Sequence, residues 1–318
     1  MHPRSPHPAS RYLLPAPCSP LPVSCHPEER RILTSQTQRL FFPKLRFFAK
    51  EAQNDNQKSK RKKSDCIITS MKPIEYERMF SAEDRHWWYQ GMAVITRGIL
   101  DRHLPPGQNR EILDAGCGTG GAMASFLQDY GRVSGFDFSI KGLEFCKARE
   151  LTGVFAASVT EIPLNNERFD LVTSFDVLYH VQDDRQAMRE MARVLKPGGA
   201  LLVRVPAYEW MRRQHDIQVS AVRRYTRQKV KALFDGCGFE AVRLTCANTF
   251  LFPLAVANVL LEKISPPKPE ASELAASTGA FNHLFKAILS SEARLAARFL
   301  LPYGLSIFAL GRKKADRS

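Results

Sequence analysis

Ten residues, ILDAGCGTGG from Ile112 to Gly121, constrain this chain more than any other stretch. An apolar run carries a carboxylate, Asp114, near its end, and a turn rich in glycine follows at once. Glycine reaches positive φ and lets the backbone come close to a ligand, which a side chain would forbid. Glu111–Asp114 therefore reads as a short strand and Gly116–Gly121 as the turn. The helix after the turn presents its first amides to whatever the turn holds. A lone carboxylate in an apolar strand needs a partner; a ligand ammonium or the turn's own amides would supply one.

Such a unit is stable only within a layered α/β domain, and the downstream pattern supplies one. Met123, Phe126, Leu127 and Tyr130 recur at i, i+3, i+4 and i+7, one apolar helix face. Arg132–Asp137 is a second strand; Ile140, Leu143, Glu144 and Lys147 fit a second helix. Val154–Ala157 reads as a third strand. Phe169–Phe175 reads as a strand of a parallel sheet buried on both faces, with Phe169, Leu171, Val172 and Phe175 apolar. Met188, Met191, Ala192 and Leu195 make the next helix, ended by Lys196-Pro197-Gly198-Gly199, and Ala200–Val205 is a fifth strand. Val230, Leu233, Phe234 and Cys237 form another helix, closed by Gly238 before strand Ala241–Thr245. Ser306–Leu310 is the last strand. The expected fold is α/β, a Rossmann-like, seven-stranded, mostly parallel sheet with helices on both faces and a helical insertion before the last strand.

The segment between Thr245 and Ser306 is too long for a simple connection. It holds an apolar stretch, Phe250–Ile264, a Pro-rich loop, and a helix with Phe281, Leu284, Phe285, Ile288 and Leu289 on one face. Upstream, Tyr76, Met79 and Phe80, then Trp87, Trp88 and Tyr89, mark a helical entry with an aromatic cluster. Met92, Ile95, Ile99 and Leu100 follow at helical spacing before Pro105-Pro106-Gly107. The expected division is a helical cap over 71–109, a sheet domain over 110–246 and 303–313, and a helical insertion over 247–302.

Glycine spacing alone leaves two chemistries open. Gly116, Gly118 and Gly121 satisfy GxGxxG, and Asp137 lies where a dinucleotide-binding acid would sit, so an NAD-dependent oxidoreductase is one reading. Asp114 before the turn, Gly120 within it, and two downstream segments point elsewhere. PLNNERFDLVTSFDVLYHV (Pro163 to Val181) followed by RVLKPGGALLVRVP (Arg193 to Pro206) resembles the class I S-adenosylmethionine (SAM)-dependent methyltransferases, of the type 11/12-like kind. EDRHWWYQG (Glu83 to Gly91), HDIQVSAVRRYT (His215 to Thr226), NTFLFP (Asn248 to Pro253) and LPYGLSIFALGRK (Leu301 to Lys313) resemble a bacterial group within it, linked to polysaccharide or lipid-carrier metabolism.

The resemblance, which covers Met71–Lys313, implies that SAM is the cofactor. Asp114, Gly116, Cys117, Gly118 and Gly120 fall on the motif that cradles its methionine end. Asp137 falls on the position that binds the ribose hydroxyls, and Phe138 would flank the adenine. Ser158 occupies a position where relatives carry Asp, with the Val159 amide beside it; Phe175 and Asp176 would face the reacting methyl. Two departures stand out: Tyr179 sits where Glu commonly precedes His180, and Ala221 where a His is common before RRYT.

Methyl transfer needs a base only if the acceptor must lose a proton. His180 and His215 are the candidates, since imidazole titrates near neutral pH. Trp88, Tyr179, Arg223, Arg224 and Tyr225 are candidates for the acceptor side, the arginines through bidentate contacts with an anion. Packing roles for the aromatic residues and a solvated charged face for the arginines are the plain alternatives. The expected activity is direct methyl transfer to a small-molecule or lipid-linked saccharide acceptor. A catalytically weak SAM-binding accessory protein is a third reading.

Composition bears on partners. Of the net charge of +14, residues 1–70 supply +8, with 13 Lys and Arg against 5 Asp and Glu. That Pro-rich, basic stretch lacks amphipathic period and is expected to be disordered, or to precede the true start at Met71. Little basic excess remains for the folded part, so nucleic acid is not an expected partner. The seven cysteines show neither a CxxC pair nor zinc-ligand spacing, so no metal is expected and the chain reads as cytoplasmic. No run approaches the ~20 apolar residues of a membrane span. Shallow contact of the insertion with the inner membrane, aided by Lys263 and Lys268, is the further expectation.

Overall fold

In β1 (Glu111–Ala115), the neighbours Ile112 and Leu113 are both fully buried, yet they belong to different cores. Successive strand residues point to opposite faces. Leu113 packs with Val172, Leu201, Val203 and Ala309 on one face, and Ile112 with Leu171, Leu202, Phe308 and Leu310 on the other. Strands apolar on both sides require helices on both sides, and the chain provides them.

The computed structural model describes residues 71–107, 109–264 and 280–315. The expectations for residues 1–70, for Lys268 and for the Pro-rich loop lie outside the described residues, as does the side chain of Lys263. Seven strands form one sheet: β1, β2 (Arg132–Asp137), β3 (Val154–Ala156), β4 (Phe169–Phe175), β5 (Leu195–Pro206), β6 (Phe239–Ala247) and β7 (Ser306–Lys313). Their order is β3-β2-β1-β4-β5-β7-β6. Only β7 runs against its neighbours, pairing antiparallel with both β5 and β6. The dinucleotide-binding order 3-2-1-4-5-6 has no such reversed strand.

The first face is covered by α5 (Asp184–Val194), through Ala187, Met188 and Met191, and by α7 (Arg227–Gly236), through Val230, Leu233 and Phe234. The second face receives α2 (Trp87–His103), α3 (Gly121–Ser125), α4 (Ile140–Ala148) and α9 (Ala280–Arg298). Four expected positions on α2, Met92, Ile95, Ile99 and Leu100, are fully buried there. Two further helices lie at the rim, α1 (Pro73–Glu83) and α8 (Phe252–Ile264), with a short α6 (Gln214–Gln218) near them.

The cap and the insertion pack on each other. A Cβ on Gly91 of α2 would lie 2.5 Å from Leu289 of α9, and one on Gly98 would touch Ala297. At the helix starts, Asn282 accepts from the Trp87 amide at 2.7 Å and donates to the Arg85 carbonyl at 3.0 Å. Arg243, buried in β6, donates to the Ala296 and Phe299 carbonyls, which satisfies the orphan groups at the end of α9.

Two local readings differ from the structure. The helix after the glycine turn breaks at Phe126, whose φ is −153°, and a 3₁₀ turn carries Leu127–Asp129. The expected face survives, because Met123, Phe126, Leu127 and Tyr130 are all buried. Arg97 accounts for the break: it donates to the Ser125 carbonyl at 2.8 Å, replacing a bond a longer helix would make itself. The Lys196–Gly199 stretch lies within β5 rather than between helix and strand. Leu195 already pairs with Phe169, and a register shift absorbs the extra residues before Ala200 meets Leu171. Among the described residues, no helix is long and apolar enough to cross a membrane.

Candidate functional site

The chain runs from β1 outward to β2 and β3, then crosses back to β4. Ligands of open α/β sheets sit at such a reversal, beyond the carboxyl ends of the strands. Here that crevice lies between the glycine turn after β1 and the segment after β4.

In the turn, Gly116 has φ +83°, and a Cβ there would fall 2.4 Å from Val177, the β-branched residue after β4. The turn and the β4 exit are thus in backbone-to-side-chain contact. Gly116→Ala is expected to cost on the order of 2–4 kcal/mol, combining left-handed strain with overpacking. Urea unfolding checks it, and Val177→Ala in the same chain should recover part of the loss. A midpoint unchanged in the single variant would disprove the contact.

Asp137 organises the turn from the side. Its carboxylate accepts the Gly118 amide at 2.9 Å and the Ser139 amide at 2.8 Å, with the Tyr76 hydroxyl at 3.4 Å. Burial pushes its pKa up, and these donors oppose the rise. Asp114, 2% exposed, is met by the Thr173 hydroxyl of β4 at 2.8 Å. Its partner in the structure is therefore a neighbouring strand, not the turn's amides. Burial lifts its carboxyl to about 7, which one hydroxyl only partly offsets.

Across the crevice, Asp176 leaves β4 with φ +54°, rare outside glycine. Arg204 of β5 explains the conformation. Its backbone carbonyl accepts the Asp176 amide at 2.9 Å, and its guanidinium grips the Asp176 carboxylate at 2.6 Å. The same guanidinium lies over the rings of Trp88 and Phe175, at 5.0 and 5.2 Å from their centroids. Sequence reasoning passed over Arg204, although a charge inside LLVRVP was the available signal.

A second missed group is Glu83, at the end of α1. It accepts from the Thr119 hydroxyl, pairs with Arg149 at 3.1 Å, and sits so near Gly121 that a Cβ there would collide with it. Burial raises its pKa. Glycine at 121 serves this contact.

These groups line one cavity of about 1020 Å³. Asp114, Gly116, Cys117, Gly118, Asp137 and Phe138 border it on the turn side, with Val159 beside them. Phe175, Asp176, Tyr179 and His180 border it on the β4 side; Trp88, His215 and Arg224 complete the expected residues that reach it. Gly120, Ser158, Arg223 and Tyr225 do not line it. Gly120 instead faces Leu151 and Cys146. The Ser158 hydroxyl lies 2.6 Å from that of Thr160, in a local turn. Arg223 pairs with Asp184 at 2.9 Å, and the buried Tyr225 donates to the same carboxylate at 2.9 Å. Both tie the chain to α5.

Arg224 reaches the cavity wall already engaged, with Asp216 accepting from it at 2.8 and 2.9 Å. Asp216 is thereby committed to Arg224 and to the Arg213 amide, so it does not orient His215. His180 differs: its Nδ1 is buried without a hydrogen-bond partner. Burial pulls its pKa down to about 4, so the ring is neutral at physiological pH.

The donor and acceptor set fits SAM. Its ammonium and sulfonium are cationic and its ribose offers two hydroxyls. The wall supplies the carboxylates of Glu83, Asp114, Asp137 and Asp176 together with the faces of Trp88, Phe138 and Phe175.

Comparison with known proteins bears on the same region. A family profile described as "Methyltransferase domain" matches residues 113–203. Demethylmenaquinone methyltransferase of Clavibacter sepedonicus is 33% identical over 167 residues, 48% of this chain and 68% of that one. A Mycolicibacterium smegmatis protein named for S-adenosylmethionine-dependent methyl transfer is 28% identical over 144 residues, 45% of this chain and 54% of its own. The chain spans about half the length of the first curated relatives it matches. Among solved structures, the Haloferax volcanii chain in complex with the Trm112 methyltransferase activator superposes with a TM-score of 0.50. It is 18% identical and covers 77% of this chain and 96% of its own, a likeness of fold.

Proposed function

We propose, on the premise that this chain belongs to the SAM-dependent methyltransferases, that it methylates a small-molecule or lipid-linked acceptor by direct transfer. The acceptor would lie between the glycine turn and the insertion helices. The observation that carries this reading is the single cavity, which runs from Asp114 and Asp137 to Leu254 and Asn258 of α8 and Phe285 of α9. Its ~1020 Å³ is at the upper end for one drug-sized ligand, leaving room for donor and acceptor together.

Bound SAM supplies a methyl group already activated on a sulfonium. Asp137, held in place by the Gly118 amide, would fix the ribose side, and Asp114 the ammonium side, by charge-assisted hydrogen bonds. Phe175 and Asp176 hold the floor where the methyl would point, and Arg204 fixes both. Trp88, under the Arg204 guanidinium, closes the site to water. Aligning the two reactants supplies the larger part of the acceleration, roughly 7–11 kcal/mol in well-oriented systems.

A hydroxyl acceptor must lose its proton, and Nδ1 of His180 is the group we assign to receive it. The ring is neutral before reaction, so it needs no prior deprotonation. His180→Ala is expected to slow transfer about a hundredfold. With SAM saturating, so that Asp114 is held charged, the native rate should stay level from about pH 6 to 8 and fall only as pH approaches 4, where the imidazole protonates. His215 and Tyr179 would contact the acceptor rather than carry the proton. On α8, Leu254, Leu260, Leu261 and Ile264 expose apolar surface, which supports an acceptor with a lipid portion, or shallow membrane contact.

Transfer of labelled methyl from SAM into extract of the source cells, followed by mass spectrometry of the product, tests the reading. Absence of any labelled product from native protein that binds SAM would favour the accessory-protein alternative. Calorimetric binding of NAD in place of SAM would favour an oxidoreductase.

A further inference from the structure

Asn248, the first residue after β6, is the least satisfied polar group in the cavity wall. Its side chain is completely buried, and neither Nδ2 nor Oδ1 has a hydrogen-bond partner. Each such group costs about 1–3 kcal/mol when left unmade. The backbone offers a simple explanation for asparagine, since φ is +61°, a region asparagine tolerates well. Glycine would meet that need without burying an amide. The amide itself therefore requires a reason.

The position is held firmly. Glu292 of α9 accepts the Thr249 and Phe250 amides at 2.7 and 3.1 Å, and the Thr249 hydroxyl donates to the Tyr303 carbonyl at 2.6 Å. On the other side, Ala247 pairs with Ser306, and Gly304 approaches so closely that a Cβ would lie 2.3 Å from the Ala247 carbonyl. These contacts fix the backbone on both sides of Asn248. Asn248, Leu251, Leu254 and Val259 all line the cavity, on the wall formed by α8 and the loop before it.

Charge narrows what the amide can meet. The arginines among the described residues of the cavity wall each meet a carboxylate: Arg204 with Asp176, Arg224 with Asp216, and Arg213 with Glu262. An anionic acceptor group would find its counter-charges already committed. An amide that can both give and take a hydrogen bond is matched by a neutral group that does the same, of which the commonest is a hydroxyl.

We propose that Asn248 is the recognition residue of an acceptor subsite for a neutral hydroxyl carried on an apolar body. This rests on the methyltransferase reading and names the acceptor class within it. The deepest apolar contacts of that body would be with Leu251 and Val259, and Leu254 would lie nearer the surface.

Matched probes test it on the full chain saturated with S-adenosylhomocysteine. Naphthol, methylnaphthalene and naphthoate share one apolar body and differ only in the hydroxyl, methyl or carboxylate. By calorimetry, native protein should bind naphthol about tenfold more tightly than methylnaphthalene, and naphthoate more weakly than naphthol. Asn248→Gly keeps the backbone geometry and should reduce the naphthol preference to within about twofold. Its affinity for S-adenosylhomocysteine should not change. Its melting temperature should equal or exceed that of the native protein, because an unsatisfied amide has been removed. Equal binding of naphthol and methylnaphthalene by native protein, or an undiminished preference in Asn248→Gly, overturns the proposal. So does tighter binding of naphthoate. A variant that fails to fold, or melts more than about 5 °C lower, marks the amide as structural and overturns it as well. Failure of native protein to bind S-adenosylhomocysteine at all would instead remove the methyltransferase reading beneath it.

Discussion

Asp137→Ala should lower affinity for SAM by at least about a hundredfold while leaving the protein folded. Two charge-assisted hydrogen bonds to the ribose would be lost, at roughly 1.5–3 kcal/mol each, so the sum exceeds the ~2.7 kcal/mol of a hundredfold change. The turn loses its support as well, because Gly118 and Ser139 donate their amides to the same carboxylate. Stability is less affected, since two terms oppose each other. Freeing two amides destabilises the fold, while removing a carboxyl whose charged form burial disfavours relieves a desolvation cost. Calorimetric titration of native and variant protein is the measurement. An affinity within threefold of native would mean that Asp137 shapes the turn without touching the ligand.

Asp114→Asn should change the dependence of stability on pH in the ligand-free protein. Asp114 is held near pKa 7 against an ordinary 3.8, so the folded state binds the proton more tightly than the unfolded chain. Its neutral form is therefore favoured by folding at low pH, and that benefit is lost progressively as pH rises from about 4 to about 7. Keeping the buried charge above that pH costs on the order of 4 kcal/mol. Asparagine keeps a carbonyl for the Thr173 hydroxyl and carries no charge. The variant should thus gain several degrees in melting temperature over native protein at pH 8, and clearly less at pH 5. The order reverses when SAM is added at pH 8, because the native carboxylate then has a cation to meet. Parallel melting curves at both pH values would show that the carboxyl is not held neutral by burial.

Much of this was legible in the sequence, for identifiable reasons. The strands could be read because a sheet covered on both faces demands apolar residues at adjacent positions, such as Leu171 and Val172, and Phe169–Phe175 appears with the expected bounds. The turn could be read because three glycines cluster at residues 116, 118 and 120, where φ is positive and glycine is favoured. What stayed hidden depends on distant contacts. Arg223 finds Asp184 thirty-nine residues upstream, and that pairing leaves no periodic mark. Arg204 and Asn248 were hidden for the opposite reason. Each is one polar residue beside apolar text, and its meaning appears only when β4, β5 and the insertion converge on the rim. The carboxylate partners of Arg223, Arg224 and Tyr225 were hidden on the same ground, and of the three only Arg224 lines the cavity.

The glycine-lined fit between α2 and α9 limits how acceptor preference can be re-engineered. Grafting the segment after β6 from a relative would bring a new α9 surface against Gly91 and Gly98, whose hollows are filled by Leu289, by the Ala293 backbone and by Ala297. A chimera that exchanges the donor's α2 along with its insertion preserves that match; one that exchanges the insertion alone does not. Swapped pairs are therefore the workable unit of specificity transfer in this scaffold.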